Sequence, residues 1–181
     1  MVDHEGVTWV ALLRGINVGR NKRVAMVDLR GLLDSLGYRD IRTHLQSGNA
    51  IFTTGRVPAS KLEHEIAARI RADLALDVTV VVRTAEELAA VVAANPFVAK
   101  GIPKNELHAA FLAGTPPSAK VASIDHNAFA PDQFAFGERV IYLRLPGGVM
   151  ASRLPDWERV LGVRATQRNW NTVTRLLDLA G

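Results

Sequence analysis

Three short polar clusters interrupt otherwise apolar segments of this chain, and they hold its candidates for chemistry. They lie at residues 14–19, 46–49 and 168–171. The clusters supply side-chain amides, guanidinium groups and backbone N–H groups, but no nucleophile beside a base and no set of metal ligands. Such donors are typical of anion binding, so the sequence predicts a binding site and leaves open whether a reaction follows.

The first cluster follows an apolar segment and leads into a helix. Gly15 and Gly19 frame a loop whose consecutive N–H groups would face an anion near a helix N-terminus. Arg14 and Lys22 would add positive charge, and Asn17 an amide. The alternative is a structural connection that needs glycine at positive φ. No Gly-Lys-Ser or Gly-Lys-Thr follows, so this is not a nucleotide-binding P-loop.

The second cluster joins two predicted strands. Ser47, Gly48 and Asn49 are residues that a hairpin turn demands, whereas such a turn does not require Gln46. Gln46, Ser47 and Asn49 are therefore candidate ligand contacts, and a plain turn is the alternative.

The third cluster combines Arg168, Asn169, Trp170 and Asn171. In the structural interpretation, an asparagine caps the last helix and Trp170 packs in the core. In the functional interpretation, the same four residues form a surface for stacking and hydrogen bonding. The sequence leaves both interpretations open.

Apolar periodicity predicts the order β-α-β-β-α-β, followed by a helix, in each half of the chain. Strands are expected at 7–13, 41–45, 50–53, 77–83, 106–113, 133–136, 140–145 and 163–167. Ser60 to Glu63 and Thr84 to Glu87 match the capping box that opens a helix. We therefore expect an α+β fold of two ferredoxin-like subdomains, at 1–99 and 100–181, each an antiparallel sheet with helices packed on it.

This topology determines which clusters can meet. The loop after the first strand and the hairpin after the second strand emerge at the same end of a sheet, so residues 15–19 and 46–49 should be neighbours. The third cluster should lie at the opposite end of its own subdomain. Arg14 ends a strand that is apolar on both faces, so we expect its aliphatic stem to be buried and its guanidinium to be held near the sheet end.

The composition is that of an ordinary globular chain. Among 181 residues, 48% are apolar, none is cysteine, and the formal net charge is +4. No apolar run approaches the roughly 18 residues of a membrane span, and residues 1–6 lack the pattern of an export signal, so we expect a cytoplasmic protein without a membrane partner. The histidines lack metal-ligand spacing, and we expect neither a metal nor a cofactor.

Four ordered strings carry a resemblance to a known family. They are Ala-Leu-Leu-Arg-Gly-Ile-Asn-Val-Gly at 11–19, Leu-Gln-Ser-Gly-Asn-Ala-Ile-Phe at 45–52, Ala-Asn-Pro-Phe at 94–97 and Ala-Thr-Gln-Arg-Asn-Trp-Asn-Thr-Val at 165–173. Together they resemble the bacterial domain of unknown function family 1697. The resemblance implies a soluble α+β protein of two similar subdomains, and no mechanism. The family loop tends to run Asn-Val-Gly-Gly, whereas here Arg20 follows Gly19, which argues against close backbone approach by a ligand at that position.

The leading hypothesis is binding of a phosphate-bearing or other anionic small ligand at the strand-end loops of the first subdomain. Arg14 and Lys22 would supply charge, while Gln46 and Asn49 would supply amide contacts. One alternative is nucleic-acid binding through Trp170 and the second subdomain, where arginines are concentrated in residues 139–175. Another is a protein-interaction domain with an apolar surface. Catalysis stays open, because positioning alone supports phosphoryl transfer when a metal arrives with the substrate.

Overall fold

The computed structural model describes residues 6–17, 20 and 23–181. The first four strands are β1 (Val7–Arg14), β2 (Arg39–His44), β3 (Asn49–Thr54) and β4 (Thr79–Thr84). The helices of this half are α1 (Met26–Ser35), α2 (Ala59–Leu74), α3 (Ala85–Ala93) and the short α4 (Pro96–Ala99). The strands form one antiparallel sheet in the order β2-β3-β1-β4, which is the ferredoxin-like order.

The second half repeats this arrangement. Its strands are β5 (Leu107–Leu112), β6 (Gln133–Gly137), β7 (Val140–Arg144) and β8 (Ala165–Asn169), and its helices are α5 (Ser118–Ala122), α6 (Trp157–Leu161) and α7 (Trp170–Ala180). The sheet order is β6-β7-β5-β8, again with every neighbouring pair antiparallel. The predicted α+β class with two ferredoxin-like sheets is therefore confirmed.

The chain divides into two compact units. One consists of Met1–Leu88 with Leu176–Gly181, and the other of Ala89–Arg175. We call them the first and the second unit.

In the first unit, α1 and α2 cover one face of the sheet. Alternate residues of β1, namely Trp9, Ala11 and Leu13, face these helices, as the two-residue period of a strand requires. The matching stripe of α2 has the spacing of one helix face and consists of Leu62, Ile66 and Ile70.

In the second unit, the helix-covered face of the sheet carries an aromatic cluster. Phe134 contacts Phe136 edge-on at 5.8 Å and Trp157 at 5.0 Å, measured between ring centroids. The ring of His126 stacks on Phe134 at 4.4 Å. This cluster fixes the helix-facing side of β6 against α6.

Local capping signals explain where several helices begin. Thr84 and Glu87 exchange side-chain and backbone hydrogen bonds at the start of α3, which confirms the predicted capping box. The predicted box at Ser60 is wrong, because the N-cap of α2 is Pro58 and forms no side-chain cap bond. Glu63 instead accepts a hydrogen bond from the backbone N–H of Val82, on the outer edge of β4.

The hairpin between β2 and β3 differs from the prediction at one residue. Leu45 was expected to continue the strand, but β2 ends at His44 and Leu45 begins the turn. Its φ is 58° and its surface is 56% exposed. Non-glycine residues rarely adopt this left-handed conformation, so the strand alternation of residues 41–45 cannot extend through Leu45.

Candidate functional site

Asn17 ties the first loop to the hairpin. Its Oδ1 accepts a hydrogen bond from the backbone N–H of Val24 at 2.8 Å, and its Nδ2 donates to the carbonyl of Val24 at 3.0 Å. The same Nδ2 donates to the backbone carbonyl of Gln46. One side chain therefore closes its own loop and bridges to a turn 29 residues away. Among the described residues, this confirms that the first two polar clusters adjoin at one sheet end.

Gly48 fits against the base of the same loop. The N–H of Leu13 donates to the carbonyl of Gly48 at 2.8 Å. A Cβ added to Gly48 would lie 2.8 Å from both Leu13 Cβ and Ile16 Cδ1. Because Ile16 is a buried core residue, the turn can approach the loop this closely only with glycine at position 48.

Left-handed backbone conformations are concentrated in these two segments. Gly15 has φ 87°, Asn17 54°, Leu45 58° and Gly48 86°. A non-glycine residue in this region costs on the order of 1–3 kcal/mol and persists only where the surroundings hold it in place. We use the name strand-end loops for residues 15–17 and 45–49.

Several polar side chains of the strand-end loops and their flanks face solvent. Arg14, Arg20, Gln46 and Ser47 are exposed. The expectation that the stem of Arg14 is buried is therefore wrong: Arg14 is the last residue of β1, where the strand leaves the core. Gly19 and Lys22, two of the predicted ligand contacts, lie outside the described residues.

Asn49 has an internal role. It is fully buried, and its Nδ2 donates to the carbonyl of His44 at 2.8 Å and to Ser47 Oγ at 3.0 Å. These bonds close the hairpin from inside, so the amide of Asn49 determines the shape of the turn that presents Gln46 and Ser47.

The third cluster lies at the other end of the second sheet, as predicted. Asn169 pairs with His108 at the start of β5, and its Oδ1 accepts from the N–H of Thr172 at 2.8 Å, which caps α7. Trp170 is only 1% exposed and packs edge-on against Tyr142, so its indole has no solvent-facing surface for stacking. Asn171 is exposed.

Arg168 is half-buried within β8. Its Nη1 donates to Thr166 Oγ1 and to the carbonyl of Gln167, both at 2.9 Å. Burial lowers the pKa of this guanidinium to about 10, and the group remains charged near neutral pH. The guanidinium is thus held against its own strand, whereas Arg14 is exposed.

Among the described residues, no group of three His, Cys, Asp or Glu side chains is placed so that it could hold a metal ion. No helix in the described ranges is long and apolar enough to cross a membrane.

Sequence reasoning missed Leu45. An alternating segment gives no sign of where its pairing ends, and the large residue seemed to belong to the strand. The turn occupies residues 45–48 and β3 begins at Asn49, so the Ser-Gly pair at 47–48 was the signal that a four-residue turn starts at Leu45.

The protein is an α+β protein with two ferredoxin-like sheets. At one end of the first sheet, the side chain of Asn17 joins the two strand-end loops. The chain belongs to the family of proteins of unknown function DUF1697, whose sequence profile matches residues 7–142. A solved structure of a conserved bacterial protein from Streptococcus pneumoniae is similar, with a TM-score of 0.76, 19% sequence identity, and coverage of 97% of this chain and 99% of that chain. At that identity the likeness shows the fold alone. No curated protein matches the sequence significantly.

Proposed function

We propose that this protein binds an anionic, phosphate-bearing small ligand at the strand-end loops of the first unit. The observation that carries the proposal is the set of four left-handed residues in two segments. Asn17 joins these segments through its side-chain hydrogen bonds, which we call the Asn17 clamp. Backbone held in such conformations is concentrated at ligand sites, where the surrounding structure keeps a fixed geometry ready for binding.

The exposed groups beside the clamp have the chemistry of an anion site. Arg14 carries a guanidinium, Ser47 a hydroxyl and Gln46 an amide, and all three residues are exposed. Gly15 leaves the loop backbone open to close approach, since a Cβ there would meet nothing within 4 Å. In this proposal Asn17 and Asn49 position the loops, and the exposed groups contact the ligand.

Nucleic-acid binding is supported less. That alternative used Trp170 as a stacking surface, and Trp170 is buried. The two functions also differ in salt response, because binding to a polyanion weakens steeply with salt while a small ligand held in a site is screened far less.

Isothermal titration calorimetry with inorganic phosphate and with adenosine monophosphate tests the proposal. Arg14→Ala should abolish binding of the phosphate-bearing probe and change the free energy of unfolding by no more than about 0.5 kcal/mol, because Arg14 is exposed. Arg159→Ala is the matched control, since it removes an exposed arginine from the second unit. Equal binding by Arg14→Ala and Arg159→Ala would contradict the proposal, as would a salt dependence typical of a polyanion.

A further inference from the structure

Two large apolar side chains are exposed at the strand-end loops and beside them. Leu45 is 56% exposed in the turn after β2, and Val27 is 64% exposed in the first turn of α1. Leu45 also has φ 58°, a conformation that bulky residues rarely adopt outside strained or functional segments. An asparagine would adopt this conformation more readily and would expose no apolar surface. The geometry of the turn therefore does not explain a leucine at position 45.

The Asn17 clamp brings the chain before α1 next to the hairpin. The side chain of Asn17 bonds to Val24, two residues before α1 begins, and to Gln46. Gln46 directly follows Leu45, and Val27 lies three residues beyond Val24. The start of α1 and the end of β2 therefore lie at the same end of the first sheet.

A second link joins the same two elements further from the sheet end. Arg30 Nη1 of α1 donates to Thr43 Oγ1 of β2 at 2.7 Å, and α1 packs against β2. Val27 precedes Arg30 by about one turn on the same face of the helix, and Leu45 follows Thr43 by two residues. Both steps lead toward the sheet end, so Val27 and Leu45 lie between the two links. We call these two residues the apolar patch.

The size and the charges of this surface limit what can cover it. A stable protein interface buries about 800 Å² on each partner, which is far more than two side chains provide, so the apolar patch fits one small organic group. The exposed carboxylate of Asp28 lies in the first turn of α1 and repels an anion from that side. The anionic part of a ligand is therefore favoured at Gln46 and Ser47, which directly follow Leu45. One small molecule can reach both places.

We propose that the ligand of the strand-end loops is a phosphate ester of an apolar organic group. Its phosphate lies at Arg14 and Ser47, and its organic group covers the apolar patch. This inference rests on the proposed anion site and specifies the class of ligand that the site selects. Covering Leu45 removes apolar surface from water, a gain in free energy that inorganic phosphate and polar phosphate esters cannot obtain.

The test uses the full-length protein with ¹³C-labelled leucine and valine methyl groups, titrated with phenyl phosphate, hexyl phosphate and glycerol phosphate. Phenyl or hexyl phosphate should shift the methyl signals of Leu45 and Val27 saturably, and should leave those of Val149, 54% exposed in the second unit, unchanged. The better of these two esters should bind about tenfold tighter than glycerol phosphate, the gain for burying roughly 55 Å² of apolar surface. A preference for phenyl phosphate identifies an aromatic ring, and a preference for hexyl phosphate an aliphatic chain.

Leu45→Asn removes the apolar side chain and keeps a residue that accepts φ 58°. This variant should lose the preference, so that apolar and polar esters bind equally well. Val149→Asn is the matched control, because it removes a similarly exposed apolar side chain from the second unit and should keep the preference. Equal affinities of the wild type for all three esters, or a preference that survives in Leu45→Asn, would overturn this inference alone. If none of the phosphate-bearing probes binds, the proposed anion site is wrong as well.

Discussion

The Asn17 clamp can be tested by removing its side chain without disturbing its backbone. Asn17→Gly keeps a residue that accepts φ 54° and deletes three hydrogen bonds, two to Val24 and one to Gln46. Three bonds at a net value of about 1 kcal/mol each give about 3 kcal/mol, and relief of the left-handed strain at position 17, on the order of 1 kcal/mol, leaves a loss of about 2 kcal/mol. For a chain of this length, that corresponds to a fall in Tm of about 4–8 °C.

The measurement is urea unfolding followed by circular dichroism, with calorimetry for Tm. Ala75→Gly is the matched control, because Ala75 has φ 53° at the end of α2 and no hydrogen-bonding side chain. Relief of the left-handed strain should leave that variant as stable as the wild type or more so. If Asn17→Gly unfolds within about 0.5 kcal/mol of the wild type, the clamp does not hold the loops together.

Three further predictions concern stability. Gly48→Ala should cost at least about 2 kcal/mol in urea unfolding, because the added Cβ contacts packed core atoms at positive φ. Glu63→Ala should cost about 1–2 kcal/mol by leaving the Val82 N–H without its partner, whereas Glu63→Gln, which keeps an acceptor oxygen, should cost less. Burial lowers the pKa of His108 below its ordinary value of 6.5, so the unfolded chain binds more protons and the free energy of unfolding should fall as pH drops below 6.5. His108→Gln should reduce that slope, and an unchanged slope would show that other groups cause it.

Much of the fold could be predicted because its signals are local. The continuous apolar run of β1, the capping box at Thr84 and the cap at Asn169 each depend on a few adjacent residues. Once the element order was known, the topology required the first two polar clusters to meet. Strand order alone places both loops at the same end of the sheet, whatever side chains they carry.

The errors involve contacts between distant parts of the chain. Glu63 resembles a capping residue in sequence, but its carboxylate reaches a strand 19 residues further on. Arg14 looked buried because β1 is apolar, yet the strand leaves the core at that residue.

The contact between Gly48 and Ile16 joins the strand-end loops to the core of the first unit. An unfolded chain has no such loops, so a ligand that binds them binds the native state only. By mass action, the ligand then adds to the free energy of unfolding, by about 2.7 kcal/mol at one hundred times its dissociation constant. In a chain of this length that is a rise of about 5–11 °C in Tm. The melting temperature of the protein thus reports occupancy of the loops directly, for any ligand and without a label.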